Sequence, residues 1–142
     1  MKSINRRDFL KFLGMVTLSP LVHASPEVRQ RTRKIYLKSV LIAGFEYYDG
    51  YDIFDQLAIG DELELRRQPE NPYDDKAIEV YTHNGYKLGY IPRIDNPIPA
   101  AIADQKVAIG AEISGLRSPD EHYRPIKMRL YMIILDEGLD GI

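Results

Sequence analysis

Asn71-Pro72-Tyr73-Asp74 sets an aromatic ring beside a carboxylate on a loop whose backbone is restricted by Pro69 and Pro72. A ring offers a face for stacking and an ionised carboxylate only accepts hydrogen bonds, so the pair suits holding a ligand. The same residues also fit an Asx-type turn whose tyrosine covers the core, and at this level both readings stand. A second aromatic group lies upstream. Phe45-Glu46-Tyr47-Tyr48-Asp49-Gly50-Tyr51 carries four rings in seven residues beside Gly44 and Gly50. It is too polar and too short for a core element and reads as a loop with exposed rings.

Catalytic chemistry finds little support. The chain has no cysteine, which removes thiolate zinc sites, disulfides and a cysteine nucleophile. A Gly-rich phosphate loop ending in Gly-Lys-Ser/Thr is absent, so ATP hydrolysis has no machinery. Of the three histidines, His23 belongs to an N-terminal leader, while His83 and His122 fall in separate turns with no triad or metal-ligand spacing. Acidic pairs such as Asp74-Asp75 or Asp49 and Asp52 are the sole basis for a cation-dependent nuclease. No catalytic residue, metal ligand or cofactor is assigned, and the chain reads as a non-enzyme.

These loops need a scaffold of strands. Leu63 and Leu65 alternate with Glu62, Glu64 and Arg66, and Ile78 and Val80 repeat the pattern after the loop, so strands are expected over 62–68 and 77–81. His83-Asn84-Gly85 turns the second into a third over 86–91. An N-terminal strand is expected over 35–43, and two more over 107–116 and 126–135. In the last, Ile126, Met128, Leu130 and Met132 alternate with Lys127, Arg129 and Tyr131. One short helix fits 96–104, with Asn96 as cap candidate, Pro99 in its first turn and an apolar stripe of Ile98, Ala101 and Ile102. About six strands with one helix in a small chain imply a mainly β, partly closed barrel, which limits exposed sheet edges.

The N-terminus speaks to compartment. Asn5-Arg6-Arg7-Asp8-Phe9-Leu10-Lys11, a mildly apolar run to Val22 and the small residues of Val22-His23-Ala24 resemble a twin-arginine export signal. Cleavage before Ser25 is expected, with export of the folded domain by the twin-arginine translocase to the periplasm or medium. The domain plan is then a signal over 1–24, a basic linker over 25–34, the folded domain over 35–136 and a tail over 137–142. Formal charge is −2 for the whole chain. Without the signal it becomes about −5, which disfavours bulk nucleic-acid binding and requires any cationic surface to be local. Arg29, Arg31, Arg33, Lys34 and Lys38 form one such patch, read as a solvated linker with a phosphate-contacting arm as the alternative.

Taken together, Gly44 to Gly50, Gly60-Asp61-Glu62-Leu63, Arg66 to Val80 and Leu88-Gly89-Tyr90-Ile91-Pro92-Arg93 resemble the successive motifs of a HIRAN domain, over roughly residues 35–135. The resemblance implies an OB-like barrel that grips the 3′ end of single-stranded DNA. It implies that Tyr47 and Tyr73 contact or stack on terminal bases, with Tyr48 beside them. Asp74 would accept from the free 3′-hydroxyl, and Arg93 would face a phosphate. Asn71 and Pro72 would shape the loop. One departure stands out: DNA-binding members carry a basic residue before the tyrosine pair, where this chain has Glu46. The late aromatic of the family has Tyr123 or His122 as its counterpart. The alternative function is therefore an exported barrel that binds a peptide, a glycan or an envelope protein and has lost DNA binding.

Overall fold

Alternation along the chain becomes a hairpin in space. A computed structural model describes residues 30–136. The expected signal, residues 25–29 of the basic linker and the 137–142 tail lie outside the described residues. In β2 (Glu62–Arg67) Leu63 is buried and Leu65 half-buried, while Glu62, Glu64 and Arg66 are exposed. β3 (Ile78–Thr82) pairs with it antiparallel, burying Ile78 and Val80 completely. Gly85, at φ 88°, supplies the left-handed residue that a three-residue hairpin loop requires before β4 (Lys87–Tyr90).

β1 (Thr32–Leu41), β5 (Ala108–Leu116) and β6 (Ile126–Leu135) complete one antiparallel sheet in the order β1-β6-β5-β2-β3-β4. The two edges then meet. Just beyond β1, Ala43 and Tyr90 exchange two backbone hydrogen bonds of 2.9 Å, closing the sheet into a partly closed barrel. That contact depends on Gly89, whose φ of 146° suits glycine and whose Cβ, were there one, would lie 2.2 Å from the Ala43 carbonyl oxygen. The expected class, a mainly β six-stranded partly closed barrel, is the observed one, and the one short helix expected is joined by a second helix of a single turn.

Several expectations change. β1 starts at Thr32, so Arg33 and Lys34 belong to the strand rather than to a linker. Lys34 pairs with Glu62, and Lys38 pairs with Asp95, so two of the five cations of that patch are neutralised locally. The Phe45 to Tyr51 stretch is not an open loop. It forms a 3-10 turn (Phe45–Tyr47) and the short helix α1 (Gly50–Ile53), followed by a second 3-10 turn (Phe54–Gln56). Phe45 is 1% exposed and packs in the core, its ring 5.1 Å from Tyr51 and 6.2 Å from Phe54. Gly50 makes the room, since a Cβ there would sit 2.1 Å from the Phe45 ring.

The helix α2 spans Pro97–Asp104 and buries Pro99 and Ala100. The apolar stripe expected on it does not face the core: Ile98 is 69% exposed, Ala101 is exposed and Ile102 half-buried. Small residues win that face because they let the helix lie close to its neighbours. In β6, Tyr131 also departs from simple alternation. It is buried on the outer face over Gly110, with the Lys34 ammonium 4.5 Å from its ring centre.

Candidate functional site

The loop between β2 and β3 is organised by Asn71. Its Oδ1 accepts hydrogen bonds from the Tyr73 and Asp74 amides at 2.9 and 3.1 Å, and its Nδ2 donates to Gln68 Oε1 at 2.9 Å. This is an Asx turn, with Pro72 fixing the backbone inside it. The turn throws Tyr73 outward to 86% exposure, so its ring does not cover the core. Asp74 is half-buried beside it.

Asp74 is held at both oxygens. Oδ1 accepts from the Lys76 amide at 3.0 Å and Oδ2 accepts from the Asn96 side-chain amide at 2.7 Å. Burial alone pushes its proton affinity up, but these two donors, with the charges of Arg93 and Arg67, outweigh it and hold the carboxyl below the usual aspartate range. Asn96 is the residue that sequence reasoning misplaced. It makes no side-chain cap on α2; its amide is turned instead to Asp74, with Asn96 itself 1% exposed. No local signal distinguishes the two roles, since an Asn before a helical proline fits a cap equally well.

Tyr48 and Tyr90 form the second wall, with Lys87 packed against both rings. The Tyr48 and Tyr90 rings are 5.8 Å apart, and the Lys87 ammonium lies 4.3 and 4.4 Å from their centres. Lys87 also donates to Glu79 Oε1 at 3.0 Å and to the Tyr90 hydroxyl at 2.9 Å, and that hydroxyl donates to Gln68 Oε1 at 3.0 Å. Burial would lower the Lys87 proton affinity, yet the Tyr90 hydroxyl and the Glu79 carboxylate raise it well above the ordinary lysine value. Burial is also the main reason the Tyr48 hydroxyl titrates higher than usual. Lys87 and Tyr90 reach the same side of β4 because the ladder slips between Val80 and Tyr81. Through Gln68, this wall is hydrogen-bonded to the Asn71 turn.

Between the walls lies an open cleft of about 420 Å³, lined by Tyr48, Pro72, Tyr73, Asp74, Tyr90 and Arg93 among others. It gathers Tyr48, Tyr73, Asp74 and Arg93 with the loop residues Asn71 and Pro72. Tyr47 is not among its lining residues; it projects from the neighbouring turn at 77% exposure. Beside Tyr47, both Glu46 carboxylate oxygens are shielded from solvent without an aligned hydrogen-bond donor. That carboxylate still lies near enough to raise the Tyr123 hydroxyl above the ordinary tyrosine value. Among the described residues there is no group of three or more His, Asp or Glu placed to hold a metal ion.

A small, partly closed β-barrel with an aromatic and carboxylate cleft beside its closing seam defines an OB-like binding module. The HIRAN domain model matches residues 35–132, and the chain belongs to the HIRAN domain family. The helicase-like transcription factor of Mus musculus is 36% identical over 67 residues, covering 47% of this chain but 6% of that protein. Its counterpart in Oryctolagus cuniculus is 34% identical over the same length, again 6% of the whole. This chain therefore matches a small part of those much longer relatives. Among solved structures, a protein from Lactobacillus plantarum superposes with a TM-score of 0.66 at 29% identity, covering 72% of this chain and 98% of its own. The HIRAN domain of human HLTF gives a TM-score of 0.56 at 22% identity, with coverages of 73% and 82%. The latter likeness is one of fold.

Proposed function

We propose that this chain is a non-catalytic nucleic-acid-binding module that holds the 3′-hydroxyl end of single-stranded DNA. The observation that carries the reading is the fixed Asp74 carboxylate at the cleft wall with the exposed Tyr73 ring beside it. A carboxylate accepts from a sugar hydroxyl and repels a terminal phosphate, so it reads an unblocked end. Each of its oxygens has one donor in place and a lone pair to spare. Tyr73 stacks on the terminal base, Tyr47 offers a second exposed face, and Arg93 faces a phosphate. Such stacking tolerates any base and contributes roughly 1–3 kcal/mol per ring. Family membership supports this assignment, and the twin-arginine pattern at Arg6-Arg7 adds that the module acts outside the cytoplasm.

The test is a titration with short single strands bearing a free or a phosphorylated 3′ end, repeated with Asp74→Ala. Preference for the free end, lost in Asp74→Ala, is expected; equal affinity of the native protein for both ends overturns the reading. Glu46 favours a second one, in which the cleft takes a peptide or envelope partner, because a carboxylate beside Tyr47 repels a passing phosphate. Export is checked separately, by fractionating cells that carry the native chain or an Arg6→Lys/Arg7→Lys variant. Retention of the variant alone in the cytoplasm is the expected result.

A further inference from the structure

A second cleft lies where β1, β5 and β6 run out. Its volume is about 320 Å³ and its walls include Arg117, Arg124 and Lys127, over a floor of Leu41, Leu116 and Pro125. No acidic residue lines it, and none of its three cations is in an ion pair among the described residues. Lys34, Lys38, Arg66, Arg67, Lys87 and Arg129 have carboxylate partners, whereas this cleft gathers three of the cations that have none among the described residues. The cations are held together by the sheet. The Arg117 amide donates to the Pro125 carbonyl at 2.9 Å, setting Arg117 opposite Pro125 and so one residue from Arg124, and Lys127 is paired with both Gly115 and Leu41. Having no side chain, Gly115 lets Lys127 lie across it, its would-be Cβ only 3.3 Å from Lys127 Cβ.

The two clefts share one outer face. Leu41 lines the basic cleft and Ala43 lines the tyrosine and aspartate cleft, while Ile42 between them points inward and is fully buried. Residues two apart in an extended chain point the same way, about 7 Å from each other. The exposed Tyr123 ring adjoins the basic cleft through Arg124 and reaches the Glu46 and Tyr47 turn.

We infer that the Arg117, Arg124 and Lys127 cleft is a track for the sugar–phosphate backbone of the strand whose end occupies the Tyr73 and Asp74 cleft. The inference rests on the proposed reading of that end site and extends it. It gives an acidic chain a local cationic surface for DNA: three cations without carboxylate partners among the described residues meet in one cleft, where the internucleotide phosphates pass. Backbone contacts of this kind add affinity and salt dependence without adding sequence preference.

The test uses the full chain and an Arg117→Ala/Arg124→Ala/Lys127→Ala variant, whose replaced side chains are all exposed. Each is titrated with a dinucleotide and a dodecanucleotide, with free and phosphorylated 3′ ends, over a range of salt. For the dodecanucleotide, the variant is expected to lose affinity and to show a log–log salt slope shallower by about 2, from three contacts at roughly 0.7 each. The dinucleotide affinity and the preference for a free end stay unchanged. An unchanged dodecanucleotide slope overturns the track even where end preference persists. Loss of slope in a protein that never preferred a free end sinks the end-reading and leaves the track standing. A native protein that binds no strand at all removes both.

Discussion

The Asn96 side-chain amide donates to the Asp74 carboxylate at 2.7 Å, joining the residue before α2 to a loop 22 positions earlier in the chain. This bond aims the carboxylate. Asn96 is buried, so its own orientation is fixed by packing, and its Oδ1 accepts no hydrogen bond among the described residues. Asn96→Ala is expected to destabilise the fold by about 1–3 kcal/mol, the range for loss of a bond to a charged group. It should also weaken discrimination between free and blocked 3′ ends while leaving Tyr73 in place. Chemical denaturation and the end-specific titration check the two effects together; wild-type discrimination in Asn96→Ala would show that Asp74 needs no such support.

Tyr73 and Tyr48 separate function from stability. Tyr73 is 86% exposed, so Tyr73→Ala should leave stability within about 0.5 kcal/mol of the native protein. Its cost falls on ligand, by roughly 1–3 kcal/mol of stacking. Tyr48→Ala strips the ring that Lys87 and Tyr90 pack against, so both stability and binding should fall. Thermal melts alongside oligonucleotide titration distinguish them. A Tyr73→Ala protein that melts early would mean the ring is structural.

Much of the scaffold was legible because it depends on period-two alternation and on turn residues. Leu63, Ile78, Val80, Ile126, Met128 and Leu130 all face the core as alternation requires. What escaped were positions decided by a partner distant in sequence. Phe45 enters the core only because Gly50 has no side chain, and Tyr131 is buried only because Gly110 faces it. The cleft was half legible. The Asn71 turn is local and follows from the side chain's reach to its own backbone, whereas Lys87, Tyr90 and Asn96 join the site through a ladder slip, a ring pair and a long-range bond. Separating Tyr48 from Tyr47 needs the third dimension, since only Tyr48 lines the cleft.

Closure of the barrel should hinge on Gly89. An alanine there must hold a φ of 146° and place its Cβ against the Ala43 carbonyl, which is backbone and cannot swing aside. Gly89→Ala is expected to cost more than about 3 kcal/mol and to open the Ala43 and Tyr90 seam. At Gly85 a Cβ meets nothing within 4 Å, so Gly85→Ala carries only the left-handed penalty of about 1–2 kcal/mol. Hydrogen exchange at the Ala43 and Tyr90 amides reports the seam directly; equal protection in the native protein and Gly89→Ala would refute the closure argument.

The depressed Asp74 proton affinity sets a pH dependence of definite sign. A carboxyl that titrates lower in the folded state stabilises fully above its unfolded value near 3.9, and that contribution fades as pH falls through the folded value. Stability from this group is therefore flat through neutrality and lost below about pH 4. Asp74→Asn removes the titration, so the gap between its melting temperature and that of the native protein should narrow in acid. Parallel acid profiles would mean that Asp74 titrates alike in the folded and unfolded chains.

Glu46 gives the remaining prediction, because its charge has no aligned partner where solvent cannot reach it. Glu46→Gln removes that charge while keeping the side chain's size. The neighbouring Tyr123 hydroxyl, held high chiefly by Glu46, should return to the ordinary tyrosine range near 10. Ultraviolet titration of the tyrosines reads this against a Tyr123→Phe background. Glu46→Arg goes further by reversing the charge beside Tyr47. If a strand passes that turn on its way to the basic cleft, Glu46→Arg must raise affinity and steepen the salt slope by about 0.7, one added phosphate contact. An unchanged slope would place the strand elsewhere, and Glu46 would then matter to Tyr123 alone.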